Sequence, residues 1–396
     1  ADMAAGVTGP NVVNPVAQLE TMHSRAPEMR FFSTTSFEVK PVRGLTLKSD
    51  FTADLDILET DAFTPVIDVP GGSTTTLREQ EQTRTFHYLW ETTATYAEVF
   101  GKHHISAMAG FTTDYKKLRL YDFRTQNYPS DTWDKYQNLW QNGSWYRDPT
   151  ENYYEYAMVS FLARLGYSFD DRYFGEFNFG YNGSENFAPK NRYGFFPSVG
   201  LGWVISNEPF FRGATEVIQY LKLRGTWGRV GNSQISGRRF AYLATVKDTN
   251  DTSYQFGKNM DQTYGTTAID EYAVDVTWEI ADKTNIGLDM RLLNNKFNLQ
   301  FDAFKESRKG IYLRRTSIPS YFGMINNPYG NIGKVENKGI EMSVSYANSW
   351  RDWSLSVMGN YSFNRNKVLE DDSTVAYPWQ KTIGNKVDQR FGLIAL

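Results

Sequence analysis

Apolar and polar residues alternate with a period of two in long runs that recur through most of this 396-residue chain. Phe297, Leu299, Phe301 and Ala303 interleave with Asn298, Gln300 and Asp302; Leu221, Leu223 and Trp227 with Lys222, Arg224 and Thr226; Ile340, Met342, Val344 and Tyr346 with Glu341, Ser343 and Ser345. Trp353, Leu355, Val357 and Tyr361, and the run from Ala157 to Phe169, behave alike. Successive side chains of a strand point to opposite faces, so each run makes a strand with one apolar and one polar face. A soluble sandwich also alternates. Here, however, several runs reach about 9–11 residues, enough to cross a bilayer at a tilt, against about 5–6 for a globular strand.

The apolar faces carry aromatics toward their ends. Trp203, Phe297, Trp353, Tyr167 and Phe169 are expected at one rim, and Trp227, Tyr181 and Tyr361 at the other, the girdles of two lipid–water interfaces. Aromatics make up 16% of the chain, with 31 glycines and no cysteine, which suits a barrel with tight turns. Mean hydropathy is −0.52, and no stretch approaches the roughly 20 apolar residues of a spanning helix; a half-apolar barrel strand leaves only a weak hydropathy signal. A net charge of −3 argues against a nucleic-acid partner. The opening ADMAAGVTGP lacks the basic start and apolar run of a signal peptide.

The fold class expected is all-β, an antiparallel transmembrane β-barrel of about twelve or thirteen strands here, near 31–40, 45–53, 83–98, 104–121, 155–169, 173–182, 194–205, 220–230, 277–290, 297–305, 339–347, 353–363 and 390–396. Short turns rich in Gly, Asn, Asp or Lys are expected at Lys40–Gly44, Glu98–His103, Phe169–Arg172, Leu293–Lys296 and Asn348–Asp352. Long polar connections are expected over 54–82, 113–153, 231–276, 305–338 and 364–390. Outer-membrane barrels have short periplasmic turns and long external loops. Two connections break this rule: 206–219 is long for a periplasmic turn and has room for a short helix, and 182–192 is a short external loop.

Several long words are more specific: RYGFFPSVGLGWVISNEPFF (192–211), YLKLRGTWGRVGN (220–232), WEIADKTNIGLDMRLLNNKFNLQFDAFKES (278–307), NPYGNIGKVENKGIEMSVSY (327–346) and NYSFNRNKV (360–368). In this order they resemble the barrel of the SusC/RagA-like TonB-dependent transporters of Bacteroidetes. The resemblance implies part of a 22-stranded outer-membrane barrel plugged by an N-terminal domain and covered by a SusD-like surface lipoprotein. TonB would act through a segment outside these residues, and the cargo would be an oligosaccharide or a peptide; a dimer of transporter–lid pairs is left open. No plug, N-terminal extension or final strands are read in residues 1–396, so the expectation is the middle of a longer polypeptide. A non-transporting barrel displaying its loops for binding or adhesion is the alternative.

The stretch 127–156 holds Trp133, Tyr136, Trp140, Trp145, Tyr146, Tyr153 and Tyr154. These rings offer stacking platforms for a cargo, or they pack the loop on its neighbours or on the lid protein. Lys222, Arg224, Asp289, Asn298, Gln300, Asp302 and Glu341 fall on polar faces and are expected to line the lumen. Acidic stretches 54–61 and 248–255 resemble loose calcium ligand sets in external loops but lack EF-hand spacing, and solvated loops are the simpler reading. His103 and His104 are adjacent, so on a strand they point apart and do not share a metal. There is no Cys, no GxSxG and no convergent His–Ser pair, so neither a metal centre nor an enzyme is expected.

Overall fold

The computed structural model describes residues 16, 19, 23–66, 75–127, 144–235, 239–256, 262–319, 321, 325–375, 377–390 and 392, with backbone alone for 144–151, 247–256, 262–268 and 271. Its strands are β1 (His23–Arg25), β2 (Glu28–Val42), β3 (Leu45–Thr64), β4 (Leu77–Phe100), β5 (His103–Gln126), β6 (Ser144–Phe169), β7 (Tyr173–Ser184) and β8 (Tyr193–Val204). There follow β9 (Ile218–Asn232), β10 (Thr245–Phe256), β11 (Gln262–Glu271), β12 (Glu279–Leu292), β13 (Phe297–Arg314), β14 (Tyr329–Trp350) and β15 (Trp353–Glu370). Thirteen form one sheet in the order β1-β3-β4-β5-β6-β7-β8-β9-β12-β13-β14-β15, with β2 also on β3; β10 and β11 make a separate hairpin.

The short turns fall where expected. Gly44, at φ +78°, closes the β2–β3 turn, and a Cβ there would lie 2.8 Å from the Ala97 carbonyl oxygen, so both conformation and space require glycine. Asn294 and Asn295 take left-handed φ between β12 and β13, as do Asp170 and Asp171 between β6 and β7; short polar side chains tolerate this region. The long turn after β8 holds two short 3-10 segments, Ile205–Asn207 and Pro209–Ala214.

The strands run further than the alternation predicts. β3 continues to Thr64, β4 begins at Leu77, β6 at Ser144 and β14 at Tyr329, while β13 ends at Arg314 and β15 at Glu370. Much of the expected connections 54–82, 113–153, 231–276 and 305–338 is therefore strand, whereas 364–390 is strand only as far as Glu370. Beyond the bilayer both faces of a strand meet water, so the period-two signal disappears while the backbone ladder still pairs every N–H and C=O. The hairpin β10–β11 lies inside the expected loop 231–276, and the strand expected at 390–396 falls mostly outside the described residues.

The chain divides into two compact units: residues 1–37, 49–91 and 113–157, and residues 38–48, 92–112 and 158–396. In the first, Phe51, Tyr88 and Tyr115 stack in sequence across β3, β4 and β5 at 6.1 and 5.3 Å between ring centroids. Further along, Arg78 makes a two-bond fork to Asp61 at 2.8 and 2.6 Å, both residues buried.

In the second unit the register keeps like faces together. Phe161 pairs with Tyr181, which pairs with Phe195; Leu223 pairs with Trp203 and Leu288, then Phe301, Met342 and Tyr361 follow across to β15. This apolar face is not packed against a second layer: Leu165, Leu201 and Ile286 are 56%, 66% and 59% exposed. Apolar side chains in such numbers do not face water in a folded protein, so their solvent is lipid.

The aromatic rims cross this ladder obliquely. From Trp203 the register leads to Phe301 on β13, whereas the rim aromatic there is Phe297; on β15 it leads to Tyr361, whereas the rim aromatic is Trp353. The displacement grows steadily from strand to strand, as barrel strands tilted to the membrane normal require. Tyr173 to Tyr181 on β7 and Trp353 to Tyr361 on β15 span the same interval between rims. At about 3.3 Å per residue and a tilt of about 40°, that interval is roughly 20 Å along the normal, close to the apolar band of outer-membrane barrels.

Candidate functional site: the polar face and its two ends

All seven residues expected to line the lumen share the face opposite the apolar one. Lys222 pairs with Asp289, which pairs with Gln300; Arg224 pairs with Gly287, which pairs with Asp302, and Asp302 with Glu341; Asn298 lies opposite Arg291 and Ser345. The register also joins several of them chemically. The Arg224 guanidinium bonds Asp289 at 3.1 Å and, reaching over β12, Asp302 at 2.7 Å. Gly287 makes this reach possible, because a Cβ there would overlap the guanidinium carbon. The Lys222 ammonium lies 4.8 Å from the centroid of the Phe174 ring, and the Asn298 amide donates to Ser345 at 3.2 Å.

Toward the short-turn end this face hollows into an open cavity of about 780 Å³ lined in part by Glu98, His104, Ser106, Glu176, Lys222 and Arg224. None of the first four was expected at the lumen from the sequence, where His104 was weighed only as a metal ligand. Their signal is the same alternation: His104 and Ser106 flank Ile105, and Glu176 precedes Phe177. Glycines open the floor of the cavity. Gly166, Gly200 and Gly202 contribute no side chain, and a Cβ on Gly166 would overlap the Ser106 hydroxyl. His103 turns the other way and bonds the Tyr167 hydroxyl at 2.8 Å, its ring 4.9 Å from Phe169, so it belongs to the aromatic rim.

At that rim a single carboxylate ties the turn to the girdle. Glu208, buried at the start of the second 3-10 segment, accepts from the Tyr173 hydroxyl and from the Trp203 indole at 3.0 Å, with Arg172 at 3.5 Å. The Tyr173 hydrogen bond, then the Trp203 bond and the Arg172 charge hold its carboxyl below the usual glutamate range. A depressed folded pKa contributes stability that is full above the unfolded value near 4.3 and is lost as pH falls through the lower folded value. Glu208→Gln is expected to lower the thermal midpoint of the detergent-solubilised protein at pH 7, with the gap to wild type closing below about pH 4. A gap that stays constant down to pH 3, followed by tryptophan fluorescence, would remove this role.

Toward the opposite end lies an aromatic core. Phe187, Phe196, Ile235, Val276, Trp278 and Tyr312 are buried together, with Trp278 5.2 Å from Phe187 and 5.1 Å from Phe196 between ring centroids. The Trp278 indole donates to the Arg192 carbonyl at 3.2 Å, and Lys190 and Asn191 bond the Asp275 carboxylate at 2.8 and 2.6 Å. The short 182–192 connection is thereby fastened to the segment that enters β12.

Of the aromatic stretch, Trp133, Tyr136 and Trp140 lie outside the described residues, and Trp145 and Tyr146 are placed at the start of β6 by backbone alone. Tyr153 and Tyr154 are exposed on β6. The Tyr153 ring has Lys117 and Arg119 at 5.3 and 5.7 Å from its centroid, and its hydroxyl donates to Glu155, which also accepts from Tyr115. Tyr153 is thus tied to β5. The acidic stretch 54–61 is spread out: Asp54 bonds Arg30 at 2.7 Å, Asp61 bonds Arg78, and Glu59 accepts from Gln82 at 2.6 Å. The side chains of 248–255 lie outside the description, and among the described residues no acidic or histidine cluster has metal-ligand geometry.

A sheet of long antiparallel strands with lipid outside, a charged face inside and aromatic rims defines an integral outer-membrane β-barrel wall. Residues 29–391 match the family described as TonB dependent receptor-like, beta-barrel, and the chain belongs to that family, one of transporters rather than enzymes. It is 27% identical to TonB-dependent receptor P3 of Formosa agariphila over 91% of this chain and 35% of that protein. It is 32% identical to TonB-dependent receptor SusC of Bacteroides thetaiotaomicron over 55% of this chain and 22% of that protein. The RagAB peptide transporter structure superposes with a TM-score of 0.78 at 22% identity, over 93% of this chain and 39% of that one, a likeness of fold. The chain spans about a third or less of the curated relatives it matches.

Proposed function

We propose that this chain forms part of the wall of a SusC/RagA-like importer that carries a large polar nutrient, an oligosaccharide or a peptide, across the outer membrane using energy delivered through TonB. The observation that carries the reading is the continuous polar face with Arg224 at its centre, backed by a lipid-facing surface on the alternate residues. In this reading Lys222, Arg224, Asp289, Asn298, Gln300, Asp302 and Glu341 line the lumen, and the 780 Å³ hollow at the short-turn end seats a plug domain supplied by a longer polypeptide. The long-connection end faces outward and receives a SusD-like lipoprotein; the aromatic residues of 127–156 contact either that lid or the cargo. RagAB, a peptide transporter of the same fold, favours peptides, and the chain's own residues are compatible with either cargo.

Uptake tests this. Cells carrying the full-length protein are expected to accumulate labelled oligosaccharide or peptide only while the proton-motive force and TonB are intact. Accumulation that survives an uncoupler and loss of TonB, or surface binding with no uptake at all, would leave the adhesion barrel as the better description.

A further inference from the structure

On the outward face of β13, β14 and β15 the apolar surface gives way abruptly to cations. Past Ala303, Ile340 and Phe363, Lys305 stands directly opposite Lys338, and Lys338 directly opposite Arg365. Further on, Lys309 lies near Lys334 across the same pair of strands, and Lys367 is exposed beside them. Like charges placed opposite one another on neighbouring strands repel, so such a row persists where something anionic offsets it.

The carboxylates present do so only in part. Asp282 takes Arg229 at 2.8 Å and Lys309 at 3.2 Å; Glu336 takes Lys305 at 2.9 Å and lies 4.0 Å from Lys338; Glu370 takes Lys334 at 3.3 Å. The row also has a fixed height. Lys305 shares its ladder position, through Thr284, with Trp227 of the outer rim, and Arg365 is one turn of the pleat beyond Phe363, which follows rim residue Tyr361. With the oblique course of the rim, these cations lie roughly 5–10 Å beyond the hydrocarbon, at headgroup depth.

We propose that this band binds lipids of the outer leaflet whose phosphate headgroups carry net negative charge, with no cation of their own to cancel it, and whose acyl chains lie on Ile340, Met342 and Phe363 below. The amphipathic match, cations above and apolar side chains immediately beneath on the same strands, selects a lipid over a soluble anion. The proposal rests on the outward orientation of the long connections given above, and not on transport: a barrel that fails to import would still bind lipid, and one that fails to bind lipid could still import.

Native mass spectrometry of the detergent-purified full-length protein tests it, with monophosphoryl lipid A and phosphatidylcholine as probes and inorganic phosphate as competitor. Wild type is expected to retain monophosphoryl lipid A over phosphatidylcholine. The variant K305Q/K338Q/R365Q is expected to lose about tenfold of that retention, and K40Q/K296Q/R351Q at the short-turn end to lose none. Heat-modifiable migration on gels establishes that each variant is folded; should the triple variant not fold, K338Q alone is expected to lose several-fold. Equal retention by the row variants and wild type, or of the two lipids, would overturn the proposal. Displacement by millimolar inorganic phosphate would overturn it too, by making the row a plain anion site.

Discussion

Leu223→Arg is expected to keep the protein out of the outer membrane, while Lys222→Leu next to it leaves assembly largely intact. Leu223 sits on the apolar face between Trp203 and Leu288, four residues on the membrane side of rim residue Trp227, and is 41% exposed. A guanidinium there must enter the apolar band, where the cost falls from about 2–4 kcal/mol at the midplane to about 0–1 kcal/mol at the interfaces; Leu223, one strand from rim residue Trp203, lies between these limits. Lys222 points to the opposite face, where leucine forfeits the contact with the Phe174 ring, worth about 0.5–1 kcal/mol at an exposed site. The fraction of heat-modifiable barrel in purified outer membranes reports both variants. Equal insertion would mean that the assignment of the two faces is wrong.

Gly339→Val is expected to be about as damaging, for a reason unrelated to lipid. Gly339 pairs with Phe304 on one side and Asn364 on the other. A Cβ at this position would overlap the backbone carbonyl oxygen of Phe363 and lie 2.9 Å from the tip of the Phe304 ring. A ring can rotate away, but a ladder carbonyl cannot move without opening β14 from β15. Overpacking of this kind costs about 1–3 kcal/mol or more, and an opened ladder adds unpaired backbone groups. Gly339→Val should therefore lower the unfolding midpoint in urea much further than valine at Gly359, where nothing lies within 4 Å of the added carbon. Similar midpoints for the two would show that β14 and β15 are less tightly apposed than their register implies.

Both predictions use information that differs in kind. The identity of the two faces was readable from Phe297, Asn298, Leu299 and Gln300 alone, because side-chain direction on a strand follows residue parity and needs no partner. The same holds for the short turns at Gly44 and Asn294–Asn295, whose residue types answer to local φ. The resemblance of the long words from 192 to 368 to a TonB-dependent barrel was also there to be read, and residues 29–391 match the TonB dependent receptor-like barrel family.

Strand length was not legible. β4 and β6 run far past the membrane into regions where neither face is apolar, and only the hydrogen-bonded ladder shows that they remain strands. Partnerships were hidden for a different reason. Arg224 finds Asp289 and Asp302 at separations of 65 and 78 residues, Glu208 finds Tyr173 at 35, and Lys305, Lys338 and Arg365 look in sequence like three unrelated surface charges. Parity decides which face a side chain takes. Which charge meets which depends on register between strands, a long-range pairing that exists only once the sheet has formed.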